Sequence, residues 1–418
     1  MSSLPRCLVS LAALALPVGA AFQAADWATF QSDREDGRFV SSRGAVQGML
    51  EDVQPACAFA ENMNAADFPR WRAKLQGAMK DLMKFPRATG EQPPPALVKT
   101  VQREGYRVEK WELYPLPHTA VPFLALIPDG LTAPRAAMLC IPGSGQTKEN
   151  LAGETSQDLS TPPAEQPSDN AMALHYVREG WVAVVVDNSG SGEEGDAERA
   201  AGRRGYDDDN LARYLLELGW SWLGYTSYVD QCVLDWMKEQ SYVDQKHIIL
   251  SGFSLGTEPL MVLGTLNPDI YAFVYNDFLC RTLERARVMT YPTANGSRPA
   301  PNSIRHLIPG FWLQFDFPDI VAALAPRPVI CTEGGLDRDF RMIQQAFLLA
   351  GAPENFRYHH QPRFANKERW DGEHLPHGLN RDTYFNMVNV DPRNHYFKRH
   401  LIIPWLKEIL QNNEHHKQ

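Results

Sequence analysis

Apolar positions change their spacing near residue 100 of this chain. Before it, Trp71, Leu75, Ala78 and Leu82 recur at intervals of three or four, which is typical of a helix. Beyond it, short apolar runs without strict alternation are separated by longer amphipathic stretches. That arrangement indicates a mostly parallel sheet that crossover helices cover on both faces. Five such runs predict strands at residues 136–141, 181–187, 247–252, 272–276 and 327–332.

Two earlier runs, residues 107–114 and 121–128, are separated by Pro115-Leu116-Pro117-His118, and so short a connection predicts an antiparallel hairpin. Together the patterns predict an α/β fold: a mostly parallel central sheet with an N-terminal antiparallel hairpin and helices on both faces. The predicted helices are residues 211–218, 228–237, 340–349 and 399–410, and we expect Pro404 to bend or interrupt the last of them.

Composition divides the chain into segments. Residues 26–99 predict a helical arm, which ends in a proline-rich linker around residues 88–96, and residues 100–414 form the main domain. Within that domain, residues 281–318 are rich in proline, arginine and aromatic residues. They predict an insertion that either roofs a pocket or is a simple surface excursion.

The first 24 residues have the layout of a secretory signal peptide. Arg6 supplies a positive charge, an apolar run follows, and small residues offer cleavage after Ala20, Ala21 or Ala24. We therefore expect a secreted or periplasmic protein. No other segment approaches the ~18 apolar residues of a membrane span.

Charge and cysteine content narrow the class further. The chain has 41 Lys+Arg against 50 Asp+Glu, and its net charge of -9 argues against a nucleic-acid partner. Without Cys7 of the signal peptide, five cysteines remain, an odd number that cannot all pair, so we expect at most one disulfide. The sequence does not fix the oligomeric state.

The stretch HIILSGFSLGTEP carries the main candidate for chemistry. It reads as a buried strand, a tight turn with Ser254 at its tip between Gly252 and Gly256, and the start of a helix. Such a turn exposes the serine hydroxyl to a base, which makes it a nucleophile. The alternative is an ordinary strand-turn-helix, and the apolar residues on both sides favour the catalytic interpretation.

A serine hydrolase on such a sheet supplies its groups in the order serine, acid, histidine. Asp337 fits the acid, because it follows a strand on a Gly-Gly loop, 83 residues after Ser254 (337−254). Glu333 and Asp339 are near enough to compete. Asp277, just after the preceding predicted strand, is the alternative acid.

The base should lie on a late loop before the last helix, where His395 lies. The competing histidines are His359, His360, His374, His377 and His400. We expect two backbone N–H groups to bind the oxyanion, one from Leu255 and one from Ser144 or Gly145 in the loop after strand 136–141.

Two other motifs are weaker. Residues 190–195 match G-x-G-x-x-G, but Glu193 and Glu194 would repel a pyrophosphate. His374 and His377 suggest a metal pair, but Pro376 excludes a helical HxxH. We therefore expect neither a cofactor nor a metal.

The assembled motifs resemble those of α/β-hydrolases of the acetyl xylan esterase and dienelactone hydrolase kind. The likeness covers residues 100–411 and includes AAMLCIPGSGQTKEN, SYVDQKHIILSGFSLG, LAPRPVICTEGGLDRDF and NVDPRNHYFKRHLIIPWL. It implies the α/β-hydrolase fold, with the catalytic positions at Ser254, Asp337 and His395. Two departures are Pro142-Gly143, where relatives carry histidine-glycine, and Thr257-Glu258 after the nucleophile. Glu258 would lie near the active-site floor, where it either tunes the site or bonds internally, and we expect the second.

The resemblance implies a secreted serine esterase acting on a small-molecule or carbohydrate ester, such as acetylated xylan. Two alternatives remain. An exopeptidase of the oligopeptidase kind usually carries a propeller before its hydrolase unit, and the first 100 residues are too few for one. A hydrolase fold kept only as a binding module is disfavoured because every triad position is occupied.

Overall fold

The computed structural model describes residues 32, 34–195, 208–289, 304–364 and 374–415. The predicted signal peptide lies outside the described residues, and so does the middle of the predicted insertion, residues 290–303. In the described ranges no helix is long and apolar enough to cross a membrane.

The described chain contains one large mixed sheet. Its strands are β1 (Ala96–Arg103), β2 (Tyr106–Leu113), β3 (Val121–Pro128), β4 (Arg135–Ile141), β5 (Val182–Val185), β6 (Val243–Phe253), β7 (Ala272–Asn276), β8 (Val329–Cys331) and β9 (Phe356–Tyr358). The spatial order is β1-β2-β3-β5-β4-β6-β7-β8-β9. Strands β4 to β9 pair in parallel, whereas β1, β2 and β3 pair antiparallel. The mostly parallel sheet and the N-terminal hairpin are confirmed.

Two strands escaped the sequence analysis, and both lie at the edges of the sheet. Strand β1 begins at Ala96, four residues before the predicted start of the main domain, and its side chains are largely exposed. Strand β9 has only three residues. Neither has the buried apolar run by which the inner strands were found.

Helices lie on both sides of this sheet. They are α1 (Ser42–Glu51), α2 (Phe68–Met83), α3 (Lys148–Ala152), α4 (Met172–Arg178), α5 (Asp208–Glu217), α6 (Trp222–Lys238), α7 (Thr257–Leu266), α8 (Thr282–Val288), α9 (Phe311–Gln314), α10 (Phe317–Ala323), α11 (Asp337–Leu349), α12 (Arg381–Met387) and α13 (Arg399–His415). Helix α13 continues through Pro404, so the proline does not interrupt it.

The sheet separates two apolar cores. Along β3, Phe123 and Ala125 face a larger core shared with α2, α6, α7, α10 and α11. Leu124 and Leu126 face a smaller core shared with α3, α4 and α13. All eight residues of β3 are buried, as expected for a strand covered on both faces.

The N-terminal arm is packed onto the domain. Leu75 and Met79 of α2 are fully buried in the larger core. The backbone N–H groups of Ala56 and Cys57 donate to the carbonyls of Leu313 and Gln314 in α9. The arm is therefore bound to α9, which lies in the last part of the predicted insertion.

The cysteines of the described chain form no disulfide. Cys57, Cys140, Cys232, Cys280 and Cys331 are all free thiols. Cys140 and Cys331 lie in strands β4 and β8 with fully buried side chains, where a thiol behaves as a small apolar group.

Candidate active site

The serine turn forms where β6 ends. Ser254 follows directly, begins the short 3-10 turn Ser254–Gly256, and leads into α7. Its φ of 52° lies in the left-handed region, which is costly for a residue with a side chain. A Cβ at Gly256 would collide with the Ile141 carbonyl, and one at Gly252 with the Gly256 backbone. Both glycines are thus required by this tight turn.

Ser254 lines a cavity of about 990 Å³. The sheet contributes residues just past the ends of its strands, including Ser144, Asp277 and Glu333. His395 enters from the loop before α13. These groups meet because the carboxyl ends of parallel strands share one edge of the sheet.

His395 is held by Glu333. Its Nδ1–H donates to Glu333 Oε2 at 2.5 Å, and its ring stacks on Phe253, with centroids 4.7 Å apart. Burial lowers the pKa of His395, but the hydrogen bond and charge of Glu333 outweigh it, so the pKa is raised above 6.5. With Nδ1 engaged, Nε2 is the ring nitrogen left to exchange a proton.

Glu333 is itself rigidly bound. Its side chain is buried, and Oε1 accepts from Lys398 Nζ at 2.9 Å, Asn276 Nδ2 at 3.1 Å and the Tyr396 N–H at 3.2 Å. The carboxylate therefore keeps its orientation toward His395.

The structure places Asp337 elsewhere, which corrects the sequence analysis. Asp337 Oδ1 lies 2.7 Å from Nε2 of His360, another of the competing histidines, and Asp337 is the first residue of α11. Between Glu333 and Asp337 the chain turns at Gly334 and Gly335, with φ of 88° and 148°. That turn leaves Glu333 at the strand end and carries Asp337 away from His395.

The alternative acid, Asp277, does lie at the site. Single ligand atoms of Asp277, Glu333 and His395 all fall within 4.8 Å of one another. Burial raises the pKa of Asp277 to about 7, although the charge of His395 opposes this, and its Oδ1 has no hydrogen-bond partner in the described chain. Asp277 is thus a neighbour of the Glu333–His395 pair that keeps its proton to a higher pH than an exposed aspartate does.

The same three residues have the composition of a metal site. Glu333 Oε1, however, is bound to the Lys398 ammonium group, whose charge opposes a divalent cation, and His395 Nδ1 is bound to Glu333 Oε2. These contacts fit a hydrogen-bonded acid–base pair better than a set of metal ligands. That no metal is required remains a prediction.

The predicted oxyanion donors lie close to the serine. Ser144 and Leu255 line the cavity. A Cβ at Gly143 would lie 3.1 Å from Ser254 Cβ, which places the loop after β4 directly against the serine turn. Gly145, with φ of 74°, completes that loop.

Sequence reasoning missed the polar contacts on the roof of the cavity. His306 Nδ1–H donates to Glu258 Oε1 at 2.8 Å, and Arg305 Nη2 donates to Ser144 Oγ at 2.9 Å. Arg305 and His306 both belong to the predicted insertion, and His306 lies 48 residues beyond Glu258 in the sequence. The expectation that Glu258 bonds internally is confirmed. No local signal could have named its partner.

The two weaker motifs serve other purposes. In residues 190–195, Glu193 accepts from Lys110 Nζ at 2.5 Å and from Lys148 Nζ at 2.8 Å. His377 Nδ1 lies 3.3 Å from the Arg287 carbonyl. Neither arrangement has the form of a nucleotide or metal site.

The strand order, the serine turn and the histidine–carboxylate pair define the class of protein as an α/β hydrolase. Residues 21–408 match the model of the Abhydrolase family. The chain belongs to that family, is a hydrolase enzyme and has the α/β-hydrolase fold.

Several solved structures are similar to this chain. One is the crystal structure of a "putative acetyl xylan esterase" from Bacteroides fragilis, 52% identical, which covers 93% of this chain and 100% of that one with a TM-score of 0.87. Methylesterase BT1017 is 17% identical and covers 83% of this chain and 68% of its own, with a TM-score of 0.50, a likeness of fold alone. Glucuronoyl esterase from Solibacter usitatus is 12% identical, covers 72% and 86%, and has a TM-score of 0.44. A search of curated proteins finds no match.

Proposed function

We propose that the protein is a secreted serine ester hydrolase that works through an acyl-enzyme, with Ser254, His395 and Glu333 as its triad. The observation that carries the proposal is the position of His395. Glu333 holds one ring nitrogen at 2.5 Å, and the ring lines the cavity that Ser254 also lines. Glu333 replaces Asp337 as the proposed triad acid, and Asp277 remains the alternative acid.

The proposed reaction has two halves. His395 accepts the Ser254 proton as the hydroxyl attacks the ester carbonyl, and Glu333 stabilises the imidazolium that forms. The N–H groups of Leu255 and of Ser144 or Gly145 donate to the oxyanion. His395 then protonates the leaving alcohol, and a water molecule activated by the same histidine releases the acid from Ser254.

Carbohydrate esters, with acetylated xylan as the leading example, are the proposed substrates. The support is the 52% identity to a protein described as a "putative acetyl xylan esterase" and a cavity of about 990 Å³, large enough for more than an acetyl group. Secretion is proposed from the signal-peptide pattern of residues 1–24, outside the described chain.

One experiment tests the chemistry. Purified protein is incubated with a fluorophosphonate probe and with p-nitrophenyl acetate, and Ser254→Ala is treated in parallel. We expect labelling and turnover only with the wild type. On acetylated xylan, likewise, only the wild type should release acetate. A wild type that is neither labelled nor active would refute the enzyme mechanism, while an active Ser254→Ala would refute the choice of nucleophile.

A peptide bond is the other substrate to exclude. The triad alone would serve an exopeptidase equally well, so aminoacyl p-nitroanilides are assayed beside the esters. We expect ester turnover to exceed anilide turnover by far. The reverse order would replace the esterase proposal by a peptidase.

A further inference from the structure

Three arginines line the active-site cavity, and the proposed reaction uses none of them. Arg285 belongs to α8, Arg305 to the turn Ile304–His306, and Arg381 is the first residue of α12. Two of them contact other side chains. Arg305 donates to Ser144 Oγ, and the Arg381 guanidinium lies 5.1 Å from the ring centroid of Phe385.

Arg285 differs from the other two. Its Nε is shielded from solvent and makes no hydrogen bond within the described part of the chain. A guanidinium stays charged at every physiological pH, and a buried N–H without an acceptor carries a desolvation cost. The fixed arrangement of its donors matches the two oxygens of a carboxylate.

The carboxylates of the cavity are engaged by other groups. Glu258 accepts from His306, and Glu333 accepts from His395. Asp391 accepts from the Arg393 N–H at 3.3 Å.

The fourth carboxyl group, Asp277, does not neutralise Arg285 either. No hydrogen bond or ion pair joins the two in the described chain. Its burial raises its pKa to about 7, so that near neutral pH a large fraction of Asp277 is uncharged. Among the described residues, the positive charge of Arg285 therefore has no protein anion in contact with it.

Helix α8 is a firm support for Arg285. The Asp316 carboxylate accepts from the N–H groups of Thr282 and Leu283, both at 2.9 Å, and Trp312 Nε1–H donates to Thr282 Oγ1 at 2.8 Å. The first turn of the helix is thus fixed from the side of α9 and α10. A side chain on such a support is ordered before a ligand arrives.

From these observations we infer that Arg285 is the centre of an anion-binding subsite, to which Arg305 and Arg381 add positive charge. The substrate is then an ester that carries a free carboxylate besides the ester group. This inference rests on the proposed esterase function and adds a preference for esters that carry a carboxylate over neutral esters.

Two pairs of esters test whether the enzyme prefers an ester that carries a carboxylate. In each pair the members differ by one carboxylate or its methyl ester: 4-acetoxybenzoate against methyl 4-acetoxybenzoate for a charge on the alcohol side, and 4-nitrophenyl hemisuccinate against methyl 4-nitrophenyl succinate for the acyl side. The measured quantity is the ratio of kcat/KM for the charged ester to that for the neutral one. Because wild type and variant are compared by this ratio, differences in leaving-group reactivity cancel.

We expect Arg285→Met to lower this ratio by about 10-fold to 100-fold in at least one pair, the size expected for a hydrogen bond to a charged group. Arg287→Met is the matched control, since Arg287 lies on the same helix but donates to the Leu50 carbonyl at 3.3 Å. It should leave both ratios unchanged. Arg285→Lys should keep part of the preference.

A second measurement uses only the wild type and does not depend on how a variant folds. Benzoate and benzamide are compared as inhibitors of neutral-ester hydrolysis, and we expect benzoate to bind about 10-fold more tightly. Equal inhibition together with unchanged ratios in Arg285→Met would overturn the subsite. A wild type inactive on all four esters would instead refute the esterase function itself.

Discussion

Glu333 and His395 are in direct hydrogen-bond contact, with 2.5 Å between Oε2 and Nδ1. The glutamate comes from the end of a sheet strand, and the histidine from the loop before α13. Because Lys398, in the same loop as His395, binds the other carboxylate oxygen of Glu333 at 2.9 Å, a second contact joins this loop to the strand end. The pair is therefore an intrinsic part of the folded domain.

Replacing Glu333 by glutamine should lower kcat/KM for p-nitrophenyl acetate by about 10³-fold to 10⁴-fold, because His395 loses the carboxylate that orients it and stabilises its charged form. Asp337→Asn is the control. It should cost less than about 10-fold, since Asp337 contacts His360 instead. Steady-state kinetics of both variants give the answer.

Asp277→Asn extends this comparison. Asp277 lies beside the pair but makes no hydrogen bond to His395 in the described chain. The decrease in kcat/KM for Asp277→Asn should therefore fall between those for Glu333→Gln and Asp337→Asn. If Asp277→Asn were as damaging as Glu333→Gln, the two acids would act together. A Glu333→Gln enzyme with nearly full activity would assign the acid role to Asp277.

The pH profile should reflect the raised pKa of His395. Activity requires the neutral imidazole, so kcat/KM rises with pH as His395 loses its proton. The midpoint of this acid limb should lie above pH 6.5 in the wild type. In Glu333→Gln the main group that raises the pKa of His395 is gone, while burial and the weaker effect of Asp277 remain, so the midpoint should move down. An unchanged midpoint would mean that another group controls the limb.

Ser254 should be replaceable by glycine with a gain in stability. Its φ of 52° strains any residue with a Cβ, and glycine adopts that conformation freely. Ser254→Gly should be inactive yet about 1 kcal/mol more stable to urea unfolding. Ser254→Ala keeps the Cβ and serves as the control without this gain. Equal stability of the two variants would show that the turn is not strained.

A buried carboxyl group that does not line the active-site cavity should make stability fall as pH rises. Burial, and then the neighbouring Asp187, raise the pKa of Glu194 from 4.5 to about 8. The folded state thus keeps a proton that the unfolded state has lost, and the free energy of unfolding decreases from about pH 4.5 to about pH 8.

Glu194→Gln removes that proton exchange. The variant should gain stability relative to the wild type as pH rises from 5 to 9, as measured by urea unfolding at several pH values. Exposed Glu217→Gln on α5 is the control and should follow the wild type. A constant difference between Glu194→Gln and the wild type would contradict the raised pKa.

The inner strands and the serine turn could be predicted because their signals are local. Strands β3 and β7 were found with their observed bounds, since each is a short apolar run beside turn residues. The order of serine, acid and histidine along the chain then narrowed the search. Ser254 and His395 line one cavity, although they are 141 residues apart (395−254).

The choice of acid could not be made from the sequence. Glu333 and Asp337 lie on one loop, and only the backbone turn at Gly334 and Gly335 decides which carboxylate stays at the strand end. Pairs such as Glu258 and His306 depend on how separate segments fold together, and a single sequence carries no record of that. The edge strands β1 and β9 were missed because they bury too little.

The cavity has walls of two different origins. The proposed catalytic side chains stand at strand ends or on the loop before α13, whereas other lining residues come from the arm, at Leu50 and Val53, and from the insertion, at Arg305 and His306. During evolution, the arm and the insertion can therefore diverge to admit new esters while the bond-breaking groups stay unchanged. For an enzyme engineer, these two segments are where libraries aimed at altered substrate range should be concentrated.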